Sequence, residues 1–63
     1  MLLLRLPQTL TKTGLTRSAL YAAVRAGTFP NPVRIGPKAV AWPDHEIDAW
    51  IANRIAEREH VAA

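Results

Sequence analysis

Apolar and polar positions alternate along this chain with a period that changes several times, and Pro or Gly marks each change: Pro7, Gly14, Gly27, Pro30, Pro32, Gly36, Pro37 and Pro43. Leu2 to Leu6 read as a short strand with Leu4 and Leu6 on one face. Pro7 suits the first position of a helix, where a missing N–H is harmless. That helix runs through Leu10 to Thr13, and Gly14 is placed to end it in a left-handed conformation. Leu15 then turns inward. Thr16 is a good N-cap for a second helix that extends to about Ala26 and stops at Gly27. At 100° per residue this helix has two sides. Ala19, Leu20, Ala23 and Val24 make the apolar one, whereas Arg17, Tyr21 and Arg25 line up four residues apart, with Ser18 and Ala22 beside them and no acidic residue among them.

From Phe29 to Trp42 the period becomes that of strands. Val33 and Ile35 are expected to face in and Arg34 out; Val40 and Trp42 are expected to face in around Ala41. Gly36-Pro37-Lys38-Ala39 forms the turn, so the hairpin tip presents Arg34 and Lys38. Pro30 and Pro32 stand at the strand entrance, where they break no ladder. Pro43 opens a last helix with Asp44 and Glu46 in its first turn, where carboxylates offset the helix dipole. Ile47, Trp50, Ile51 and Ile55 recur at helical spacing as its apolar stripe, and Asp48, Asn53, Glu57 and Arg58 form the polar side. No periodic signal continues past Glu59, so the tail is expected to fray.

A chain of 63 residues, 49% of them hydrophobic, implies one small globular domain rather than a disordered segment. The reading is a single domain over 1–63, with a core of about 4–56. The absence of Cys excludes disulfides and thiolate metal sites and agrees with a reducing compartment. Leu2-Leu3-Leu4 is far too short for a membrane span or a signal-peptide core. A cytoplasmic protein with no membrane partner is therefore expected. Charge adds the most. Residues 1–43 carry six Lys and Arg with no Asp or Glu, while residues 44–63 carry two Arg against five carboxylates. If the two parts pack side by side, one flank of the molecule attracts polyanions.

The order helix, Gly-containing turn, helix, hairpin, helix is a helix-turn-helix with a wing. The residues that carry this order also resemble a known family, the AlpA-type prophage regulators: Leu4-Arg5-Leu6-Pro7, Thr13-Gly14-Leu15-Thr16-Arg17-Ser18, Leu20-Tyr21, Ala26-Gly27-Thr28-Phe29-Pro30, Val33-Arg34-Ile35-Gly36, Ala41-Trp42 and Glu46-Ile47-Asp48-Ala49-Trp50-Ile51. The resemblance spans about Leu4 to Arg54, with departures at Ala22, Ala23 and the Pro37-Lys38 tip. It implies a mainly α fold with a small β-hairpin, three helices plus a wing, related to MerR-type domains and phage excisionases. It further implies DNA-binding transcriptional control, often beside integrase or excision functions.

On that reading the second helix enters the major groove of double-stranded DNA. Arg17 and Arg25 suit guanine contact or a phosphate clamp. Thr16, Ser18 and the first-turn N–H groups suit a phosphate at the positive end of the helix. Tyr21 either contacts DNA or is a half-buried joint between helix and wing. Arg34 and Lys38 suit phosphates; Lys12 assists from the first helix, and Arg5 is as well suited to pairing with an acid of the last helix. Trp42 and Trp50 lie on inward phases and read as core. No catalytic group, cofactor or metal site is expected: His45-Glu46 lacks the second His that a zinc-protease helix requires, since Ala49 holds that position, and His60 has no evident companions. The competing readings are an excisionase-like directionality factor that bends DNA and recruits integrase, and a non-DNA-binding adaptor. Integrase, RNA polymerase and a second copy of the chain are the protein partners considered.

Overall fold

The computed structural model describes residues 2–58. Its elements are β1 (Leu3–Arg5), α1 (Leu6–Thr13), α2 (Arg17–Ala26), β2 (Val33–Gly36), β3 (Ala39–Pro43) and α3 (Asp44–Glu57). The expected fraying of the tail from Glu59 lies outside the described residues.

Local chemistry sets the helix ends. Pro7 sits in the first turn of α1, and the Gln8 side-chain oxygen accepts the Arg5 N–H at 2.9 Å, which holds the chain as it leaves β1. Gly14 closes α1 at φ 75°, donating its N–H to the Leu10 carbonyl at 2.8 Å. Thr16 caps α2, its hydroxyl accepting from the Ala19 N–H at 3.1 Å. At the other end Gly27 adopts φ 80°; its N–H donates to the Val24 carbonyl and that of Thr28 to the Ala23 carbonyl, a paired closure that satisfies two otherwise orphaned acceptors. Pro43, expected to open the last helix, instead ends β3 and serves as the N-cap of α3 with extended backbone.

The strands form one antiparallel sheet in the order β1-β3-β2. The wing is therefore not a lone hairpin. β1 pairs with β3 in the register Leu3↔Pro43, Leu4↔Trp42 and Arg5↔Ala41, which supplies a third strand and anchors the wing's base to the chain preceding α1. The expected strand is shorter than its apolar run because Leu6 has already turned into α1.

Leu20, Phe29, Trp42 and Ile47 form the buried core, with Leu4, Leu10, Leu15, Val24 and Ile51 packed around it. Phe29 is wedged between two indoles, its ring edge-on to Trp42 at 6.2 Å and to Trp50 at 5.0 Å. Both indole N–H groups fasten the segment that leaves α2: Trp42 donates to the Pro30 carbonyl at 2.8 Å and Trp50 to the Thr28 carbonyl at 2.9 Å. Trp50 is half-buried, closed on its outer side by the Arg54 guanidinium 5.0 Å from the ring.

Several inward positions expected from periodicity turn outward. Val33 and Ile35 are 43% and 44% exposed. The ladder Val33↔Ala41, Arg34↔Val40 explains the first: it sets Arg34 on the sheet face shared by Val40 and Trp42, and Val33 on the opposite face with Arg5 and Ala41. No helix covers that opposite face well enough to bury Val33 or Leu3. Ala41 is nonetheless buried, being small and central between two flanking strands. Ala19 and Ile55 are also exposed, because α2 turns Ala19 to its free side and the last turns of α3 run past the body.

With α1 and α2 joined by Gly14-Leu15-Thr16, a β2–β3 wing and α3 behind, the architecture is a winged helix-turn-helix, mainly helical with a small sheet. Among the described residues no helix is long and apolar enough to cross a membrane.

Candidate functional site

The outward side of α2 is built from residues its own periodicity exposes. Arg17, Ser18, Ala22 and Arg25 are exposed, and Thr16 stands at the N-terminal end with its hydroxyl engaged by the Ala19 N–H. Ser18 and the free first-turn N–H groups lie at the positive pole of the helix. Tyr21, between the two arginines, is half-buried and tilts against Trp42 with ring centroids 6.5 Å apart. That contact is the one expected of a joint that sets the helix against the sheet. It also ties the stripe to the wing, because Arg34 shares the Trp42 face of the sheet through its pairing with Val40.

Arg34 and Lys38 are exposed on the wing, Lys38 at the turn between β2 and β3. Among the described residues Arg17, Arg25, Arg34 and Lys38 take part in no ion pair. Their charges are left for solvent or a ligand.

Lys12 is different. Its ammonium is held by Asp44 at 2.5 Å and Asp48 at 2.8 Å, one turn apart on α3. Those hydrogen bonds, to Asp44 foremost and then to Asp48, raise its pKa above the ordinary 10.5. Lys12, expected to assist from the first helix, has its ammonium engaged in joining α1 to α3. The pairing with the last helix considered for Arg5 is made by Lys12 instead, and Arg5 lies exposed on the outer face of the sheet. The arrangement also weakens the negative field of this part of α3, since the ammonium offsets one of the two carboxylate charges.

Periodicity did not reveal the clamp on the chain between α2 and the wing, made by Phe29 and the two indole hydrogen bonds. The only hint was an aromatic just after a helix-ending Gly. The Arg54 contact with Trp50 was legible in principle, since the two stand four residues apart on one helix. Among the described residues no group of three or more His, Cys, Asp and Glu is placed to hold a metal ion.

Over residues 2–55 the sequence matches the model of the family described as prophage CP4-57 regulatory protein (AlpA). The chain belongs to the AlpA family. It is similar to an AlpA-family relative described as the DNA-binding transcriptional activator AlpA of Escherichia coli (strain K12), at 36% identity over 58 residues covering 82% of this chain and 83% of that protein. It is also similar to the uncharacterized protein ORF88 of Enterobacteria phage P4, at 46% identity over 56 residues covering 89% of this chain. This AlpA-family chain spans 64% of the length of the phage protein. No solved structure gives a significant match.

Proposed function

We propose that this protein is a sequence-specific double-stranded-DNA-binding transcriptional regulator of a prophage or mobile element, with α2 in the major groove and the β2–β3 wing on flanking phosphates. The observation that carries the reading is the separation of charge. Arg17 and Arg25 on α2 and Arg34 and Lys38 on the wing are exposed and free of ion pairs among the described residues, whereas Asp44 and Asp48 are drawn to Lys12. Membership of the AlpA family and similarity to a relative named as a DNA-binding transcriptional activator support it.

Each residue then has a task. Arg17 and Arg25 reach base edges or phosphates from the exposed side of the helix, and Thr16 and Ser18 present the first-turn N–H groups to a phosphate. Arg34 and Lys38 neutralise phosphates beside the groove, which needs only charge and reach. Tyr21 serves by keeping helix and wing at a constant angle; Lys12 lies outside the interface.

The test is the affinity for a duplex, selected by the protein from a random pool, as a function of salt. The expected log–log slope is about −0.9 per phosphate neutralised, hence roughly −3 to −4 for the four cations. Absence of binding to any duplex would sink the reading and favour a protein-interaction adaptor.

A further inference from the structure

Ile35 is hard to explain by stability alone. Alternation assigns it to the interior, yet it is 44% exposed and stands at the irregularity in the wing, where the β2–β3 register shifts between Arg34↔Val40 and Gly36↔Ala39. Ile35 is the extra residue of that bulge. A bulge re-aims a side chain and is a common device beside binding sites. Arg34 precedes it, and Lys38 follows across the Gly36-Pro37 turn; both are exposed and unpaired among the described residues. A branched aliphatic side chain thus sits between two cations near the end of the hairpin.

A DNA minor groove has the complementary chemistry. Its walls are apolar deoxyribose faces and its rims are phosphates on both strands; where it narrows, its negative potential draws in Arg and Lys. Aliphatic side chains inserted there press on sugars or part base steps and bend the duplex. Resting on the DNA-binding reading above, we infer that Ile35 is a shape-reading residue that enters the minor groove next to the α2 site, guided by Arg34 and Lys38 on its two rims. It contributes apolar contact and bending rather than hydrogen-bonded readout, so it favours sites whose minor groove deforms easily.

Val33 is the control. It is equally exposed and aliphatic but regularly paired, on the outer sheet face with Arg5 and Ala41, away from the turn. If the apolar residues of this sheet serve instead to dock a protein, Val33 and Ile35 should act together.

The experiment measures affinity, and bend angle by end-to-end fluorescence transfer, on the selected duplex for the full chain and for Ile35→Ser, Ile35→Thr and Val33→Ser. Ile35→Thr keeps the β-branching in case Ser weakens the strand, and thermal melting monitors the fold. The expected result is an affinity loss of about fivefold with a smaller bend for both Ile35 variants, as withdrawing half an aliphatic side chain from contact implies. Val33→Ser should stay within about twofold. Unchanged affinity and bend in both Ile35 variants, or equal losses at Ile35 and Val33, overturns this inference while leaving DNA binding standing. Failure of the unsubstituted protein to bind any duplex overturns both.

Discussion

At the residue scale, two positions show how a single group controls its neighbourhood. Gly27 adopts φ 80°, and a Cβ built there would meet nothing within 4 Å. Gly27→Ala therefore isolates backbone strain from crowding, and the expected cost is about 1–2 kcal/mol in denaturant unfolding. Lys12 offers a pH test with a definite sign. Its folded pKa is raised, so its contribution is fully present below 10.5 and is lost as pH climbs through the higher folded value. The melting-temperature gap between the parent and Lys12→Met should hold steady from neutral pH to about pH 10 and close only above it, and should shrink in high salt because the pair is partly exposed. A gap that closes well below pH 10 would mean that the ammonium is not what joins α1 to α3.

At the element scale, the decisive feature is the joint between α2 and the wing. Two short elements with little mutual contact would otherwise rotate independently, and a groove-reading helix is useful only at a constant angle to its wing. Phe29 between the indoles, the two indole hydrogen bonds and the Tyr21–Trp42 contact supply that constraint. Trp50→Phe keeps an aromatic ring and deletes the hydrogen bond to Thr28, so it should cost about 1 kcal/mol in chemical denaturation. Phe29→Ala removes the wedge and should cost about 3 kcal/mol or more. In a domain this small such a loss leaves much of the population unfolded at ambient temperature. Similar costs for the two substitutions would show that packing around Phe29 is looser than the ring distances imply.

At the scale of the whole molecule, the separation of charge generates the field, and it can be altered without touching the core. Arg25→Ala should leave circular dichroism and melting unchanged, weaken duplex binding, and bring the salt slope toward zero by about 0.9 if Arg25 clamps a phosphate. Loss of fold in that variant would make Arg25 a structural residue and remove it from the interface. The opposite sheet face, with Leu3, Arg5 and Val33, adds nothing to this field except Arg5. Substitutions there should spare DNA affinity, and Val33→Ser samples that directly.

The sequence by itself determined where α1 ends, where α2 begins and ends, and which side of α2 carries the arginines. Caps, proline placement and left-handed glycines act over three or four residues, so Thr16, Gly14 and Gly27 carry their meaning wherever the chain packs. Tertiary structure alone decided which faces are covered. The strand preceding α1 found β3 as a partner forty residues away, Lys12 rather than Arg5 met the α3 carboxylates, and Val33, Ile35 and Ile55 lost the cover their periodicity anticipates. Periodicity states only that an element has two sides. Pairing register, and a bulge that shifts it by one residue, decide which side meets the core.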